Sequence, residues 1–257
     1  MQPNLVKTFW RQDKTVINAW ATLPSAFSAE VMARAGYDSV TLDIQHGLAD
    51  YSTALAAVQA INATPAVPLA RVPWNDPAVI MRLLDLGVQG IICPMINNRA
   101  QAEAFAGACR YAPAGYRSIG PLRAQLVYGE DYVPSGDDFV ITFAMIETSE
   151  ALQNVEAIAS TPGLDALYIG PVDLSKSLGL PDLYDLRQPG MQAACQKVIA
   201  AARKFGRIAG IHASTPANAI MLSKMGFRFV TPVNDTHLLR SAAIQALDQT
   251  RAGFSNP

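Results

Sequence analysis

The sequence predicts a (β/α)8 TIM barrel, and three observations predict it. Eight short apolar runs occur along the chain, each followed by a stretch of helical character. Most of the runs are continuous rather than alternating, as in parallel strands covered on both faces. The length, 257 residues, suits one barrel domain spanning residues 1–257. An open, doubly wound sheet is the competing architecture. It needs fewer strands, and no Gly-rich dinucleotide loop follows the first run.

The elements follow in order. Residues 2–14 are expected to form an extra helix that closes the barrel bottom. Strands are expected over Val16–Thr22, Ser39–Asp43, Ala66–Val72, Gly90–Pro94, Val140–Glu147, Ala166–Gly170, Ile208–His212 and Phe229–Val233. Between them, helices are expected over Ser28–Ala35, Tyr51–Ile61, Pro77–Leu86, Arg99–Tyr111, Ser149–Ser160, Met191–Phe205 and Pro216–Met225, with a last one over Thr236–Arg251. Asn75-Asp76-Pro77 and Ser214-Thr215-Pro216 have the form of an N-cap followed by Pro in the first turn. Gly36, Gly87, Gly206 and Gly226 stand where helices should stop. The longest irregular stretch, Ala112–Asp138, has the length of a functional loop or an oligomer contact.

Charge and composition narrow the function. Lys and Arg total 20, Asp and Glu 21, and they are scattered, which argues against a nucleic-acid or membrane partner. No apolar stretch is long enough to span a bilayer, and Met1–Arg11 holds no run like a secretory leader. The three cysteines, Cys93, Cys109 and Cys195, lack CxxC spacing and read as buried, reduced thiols of a cytoplasmic protein.

In a barrel of this kind the active site lies at the C-terminal strand ends. Strand two ends in Asp43-Ile44-Gln45-His46, strand three at Arg71, strand five at Glu147, and strand six runs into Gly170-Pro171-Val172-Asp173. Charged groups are rarely buried without a partner, so several converging at one mouth need a role. Glu147 and Asp173, from adjacent strands roughly 4.8 Å apart, could share one divalent cation. Each also precedes a helix, where an acid can simply cap. Arg71 could hold a carboxylate or a developing enolate oxygen, or pair with a neighbouring acid. His46, close to Asp43, is a workable base; His212 ends a strand and is a weaker candidate; His237 reads as structural. None of the six lysines ends a predicted strand, so a Schiff-base mechanism has no obvious nucleophile.

These residues resemble those of the HpcH/HpaI class II pyruvate aldolases, such as 4-hydroxy-2-oxoheptanedioate aldolase and the 2-keto-3-deoxy-sugar-acid aldolases. The likeness runs over nearly the whole chain. Its markers are Asn18-Ala-Trp20, Asp43-Ile-Gln-His46, Arg71-Val-Pro-Trp-Asn-Asp76, Leu83-Leu-Asp85-Leu-Gly87, Pro94-Met95, Arg110-Tyr-Ala-Pro-Ala-Gly-Tyr-Arg117, Ile146-Glu147-Thr148 and Ile169-Gly-Pro-Val-Asp173-Leu-Ser175. The resemblance implies reversible cleavage of a 4-hydroxy-2-oxo acid to an aldehyde and pyruvate, or a relative such as hydroxypyruvate, through an enolate. It implies a divalent metal held by Glu147 and Asp173, Mg²⁺ or Mn²⁺ first, with Co²⁺ or Zn²⁺ as alternatives. Amides around Gly170 and Val172 would hold the substrate carboxylate, Arg71 the enolate oxygen, and Trp20 would line the pocket. His46, paired with Asp85 across a subunit contact and oriented by Asp43, would be the base. A homo-oligomer is implied, typically a hexamer with exchanged C-terminal helices. One departure stands out: Gln45 replaces a Glu that many members carry. Two other readings remain open. A citryl- or malyl-CoA lyase would need a basic surface, for which only Arg117 and Arg123 are in view near the mouth. A non-catalytic 2-oxo acid binding barrel would not need His46 as well as a metal pair.

Overall fold

The computed structural model describes residues 3–254. Eight parallel strands pair in chain order and close: β1 (Val16–Ala21), β2 (Ser39–Asp43), β3 (Val67–Arg71), β4 (Gly90–Cys93), β5 (Ile141–Ile146), β6 (Ala166–Ile169), β7 (Ile208–His212) and β8 (Phe229–Thr231). Each lies within the span its sequence predicts. The continuous apolar runs have the expected cause. One set of side chains fills the barrel, including Val16, Leu69, Ile92, Phe143 and Phe229; the other packs under the helices.

The barrel floor is α1 (Leu5–Arg11), the extra N-terminal helix, shorter than expected. Gln2 lies outside the described residues. Asn4 caps α1 by accepting from the amides of Val6 and Lys7. Its Nδ2 donates to the carbonyls of Phe139 (3.1 Å) and Gln89 (3.3 Å), which ties the helix across the bottom.

On the outside lie α2 (Ala26–Arg34), α3 (Tyr51–Asn62), α4 (Pro77–Asp85) and α5 (Arg99–Ala108). The stretch expected to be irregular contains α6 (Leu122–Tyr128) and α7 (Tyr132–Phe139). Ala124, Tyr132 and Phe139 form their own small core, a local cluster that a search for one long period does not detect. The helix expected over Ser149–Ser160 is broken at Asn154 into α8 (Ser149–Gln153) and α9 (Val155–Ala159); the Asn154 Nδ2 donates to the Asn97 carbonyl at 2.9 Å. Then come α10 (Pro171–Ser177), α11 (Pro189–Lys204), α12 (Pro216–Met225) and α13 (Asp235–Phe254). The only buried residue described in α13 is Asp235, and Leu239, Ile244, Leu247 and Phe254 are exposed. Ile17, on the outer face of β1, is 48% exposed.

Candidate active site

The parallel strands deliver their last residues to one rim, where a cavity of about 450 Å³ opens. Trp20, Asp43, His46, Arg71, Glu147 and Asp173 all line it, together with Gly170, Val172 and His212. So the candidate side chains from β1, β2, β3, β5 and β6 are brought together. Asp85 is not brought to His46 within one chain. It ends α4, where Arg117 donates to it at 2.8 Å. Because α4 runs back down the barrel, Asp85 and Arg117 sit at the opposite end from the cavity. Arg123 lies there too, bonded to the Leu86 carbonyl. The basic pair expected near the mouth is therefore not there.

Asp43 organises one side. It stands opposite Arg71 in the β2–β3 register. Arg71 grips it with both branches, Nε to Oδ1 at 2.9 Å and Nη2 to Oδ2 at 2.5 Å. The Trp20 indole donates to Oδ2 at 3.1 Å, and the amides of Gln45 and His46 each donate to Oδ1 at 3.1 Å. Burial alone would raise the Asp43 pKa. The bonds and charge of Arg71, with the His46 amide and Trp20, outweigh it and hold the carboxyl below its ordinary range. Arg71 also lies over the Trp20 ring, 4.9 Å from its centroid. Trp20 stacks in turn on Tyr168 at 6.0 Å. Beneath it a polar layer is internally satisfied: Tyr168 and Asn18 donate to Thr231, while Ser39 and Thr41 donate to Asn18. The site therefore rests on a rigid base.

Glu147 organises the other side. It is 3% exposed, just past β5. Its Oε1 accepts the Met95 amide at 2.7 Å. Burial pushes its pKa up to about 7; the Asp173 charge adds to the rise, while the Met95 amide and Arg71 oppose it. A Cβ on Gly170 would fall 2.4 Å from Glu147 Oε2, so any larger residue there would force the carboxylate to shift. Asp173 is exposed, in the first turn of α10.

A buried carboxylate beside a second acid is poor company without a cation. Two hard oxygen ligands with room around them fit Mg²⁺ or Mn²⁺. Among the described residues no cluster of three or more His, Cys, Asp or Glu could hold a metal, so any cation here would be completed by substrate and water.

Met95 is a contributor that no strand-end position singles out, whereas His212 is already a weaker candidate as a strand end. Met95 holds a left-handed backbone, φ 56°, and this aims its amide at Glu147. Its only signal in the sequence is the Pro94-Met95 marker. His212, at the end of β7, faces the cavity, with its ring edge-on to Trp20 at 5.3 Å.

The profile of the HpcH/HpaI aldolase/citrate lyase family matches residues 17–242. A hydroxypyruvate/pyruvate aldolase of Rhizorhabdus wittichii is 39% identical over 97% of this chain and 99% of its own. A 4-hydroxy-2-oxo-heptane-1,7-dioate aldolase of Escherichia coli is 35% identical over 93% of this chain and 92% of its own. The crystal structure of an HpcH/HpaI aldolase/citrate lyase family protein from Burkholderia cenocepacia superposes with a TM-score of 0.89 at 32% identity, covering 96% of this chain and 99% of that one. With this barrel, these strand-end residues and this breadth of likeness, the chain belongs to the HpcH/HpaI aldolase/citrate lyase family.

Proposed function

We propose that this chain is a divalent-cation-dependent aldolase. It cleaves 4-hydroxy-2-oxo acids to an aldehyde and pyruvate, or a related donor such as hydroxypyruvate, and runs the reverse addition. One observation carries the reading: Glu147 and Asp173 face Arg71 across a single cavity at the strand ends. The names borne by relatives at 34–39% identity point the same way.

Glu147 and Asp173 would hold the cation, and Gly170 keeps the space that lets them meet it. The bound cation supplies positive charge where the enolate oxygen develops. Arg71, fixed by its two bonds to Asp43, aims its guanidinium at the same oxygen without having to reorganise. Amides at Gly170 and Val172, where β6 turns into α10, receive the substrate carboxylate. His46 takes the proton from the carbon beside the ketone, and its backbone is pinned to Asp43. Trp20 and Tyr168 close the floor and exclude water.

Assembly completes this reading. The helix that follows β8 would ordinarily cover the β8–β1 seam. Here α13 leaves it, and an apolar groove lined by Ile17, Tyr37, Ile220 and Val230 stays open. In this reading a second copy's α13 covers that groove, giving a homo-oligomer, a hexamer, in which Asp85 of one subunit meets His46 of another; the open groove and the exposed apolar residues of α13 support it. A cytoplasmic location is part of this reading, and three buried free thiols support it.

The test is pyruvate release from a 4-hydroxy-2-oxo acid with and without EDTA. The expected result is loss with EDTA, recovery with Mg²⁺ or Mn²⁺, and at least ~10²-fold loss in Glu147→Gln, the size seen when a transition-state charge contact is removed. Activity indifferent to EDTA sinks the proposal.

A further inference from the structure

The ionic groups of the mouth all lie on the arc from β2 to β6, the ionic side of the rim: Asp43, His46 and Arg71 after β2 and β3, Glu147 and Asp173 facing them after β5 and β6. The arc from β7 through β8 to β1 is different. It carries His212, Asn234, Thr22 and Trp20. A 2-oxo acid held on the ionic side leaves this arc as the wall that meets the aldehyde.

His212 stands out on it. Among the described residues its imidazole makes no hydrogen bond; its ring meets Trp20 in a T-shaped contact. Burial and the Arg71 charge push its pKa down to about 4, with the Asp43 charge opposing. At neutral pH it therefore offers one N–H donor and one bare nitrogen. Asn234, which lines the same cavity, is a neutral carboxamide whose Oδ1 accepts the His237 amide at 2.7 Å. The guanidinium that lines the cavity, Arg71, is taken up by Asp43. Within one chain, and among the described residues, the arc thus holds donors and acceptors suited to an alcohol and no cation to balance a carboxylate.

We infer that His212 is the specificity residue for the acceptor, taking the hydroxyl on the carbon next to the aldehyde, so that the acceptor is a short hydroxyaldehyde. This rests on the aldolase reading above. In the addition, the enolate carbon bonds to the aldehyde carbon. The aldehyde π electrons move onto its oxygen, and that oxygen takes the proton. The neighbouring hydroxyl keeps its own proton and serves as a handle.

The experiment compares kcat/KM for addition of pyruvate to glycolaldehyde and to propanal, which differ by hydroxyl against methyl. The expected wild-type ratio is about 10 or more, because a site built to bond a hydroxyl discriminates against its absence. Succinic semialdehyde should fall below glycolaldehyde. His212→Leu should lower the ratio about 10-fold, and His212→Gln, which keeps a donor and an acceptor, should restore most of it. A purely structural role would reduce both aldehydes together and leave the ratio alone. A wild-type ratio near one, a preference for the carboxylated aldehyde, or an unchanged ratio in His212→Leu overturns the inference; the first two need no variant to fold. Exchange of the pyruvate methyl protons for deuterium, followed by NMR without aldehyde, separates the two levels. If the wild type shows no exchange, the aldolase reading fails and this inference with it. Exchange with a flat ratio removes only the role of His212.

Discussion

Gly170 owes its place to one missing atom. A methyl there would crowd Glu147 Oε2 at 2.4 Å and the Met145 side chain at 2.9 Å, and both are packed. If Glu147 holds the proposed cation, Gly170→Ala should displace the carboxylate, weaken cation affinity about 10- to 100-fold and lower activity with it, as loss of a supporting contact does at metal sites. Metal titration of activity checks this, and an unchanged half-saturating concentration contradicts it. His212 makes a second prediction, about stability. It is a base whose folded pKa, about 4, lies below its ordinary 6.5. Between those values the unfolded chain binds the proton and the folded chain does not. Stability from this group is full above pH 6.5 and is lost as pH falls towards 4, by about 1–3 kcal/mol. Urea melts at pH 7 and pH 5 should show a smaller difference for His212→Gln than for wild type; an equal difference denies the depressed pKa.

The elements were legible to unequal degrees. Strands were the easiest, because burial on both faces writes itself as an unbroken apolar run such as Ile141–Ile146. Helix starts were nearly as clear. Asp76 and Thr215 cap α4 and α12 with Pro next in line, as their sequences indicate. The Asn154 break and the pair α6–α7 were not legible, since tertiary contacts decide them. Helix α1 yields a prediction of its own. Asn4→Ala removes the cap and leaves the Phe139 carbonyl short of a donor at the barrel floor. Thermal unfolding should show a loss of about 2–3 kcal/mol, with kcat retained because the cavity is at the other end. A loss under 0.5 kcal/mol would mean that α1 does not brace the floor.

At the scale of the whole molecule, α13 tests the proposed homo-oligomer. A helix of twenty residues with a single buried member does not hold itself in place. Ending the chain at His237 keeps Asp235, which secures Thr22, Leu23 and Ser28, but removes the exposed apolar helix. Light scattering should then report a smaller assembly than wild type. An unchanged mass would rule out α13 as the link between copies. Asp85 belongs to this scale as well, because within one chain its partner is Arg117 and not His46.

The sequence by itself determined the barrel, since eight buried strands and their caps are local patterns repeated in order. It also determined which ionisable residues stand at strand ends, Asp43, Arg71 and Glu147, and that Asp173 follows in the turn after β6. Only the tertiary structure decided what they do to one another. That Arg71 is claimed by Asp43, that Met95 turns its amide to Glu147, and that His212 has no hydrogen-bond partner among the described residues are facts of distance between separate strand ends. Spacing along one strand carries no record of them, because the contacts form only when the barrel closes.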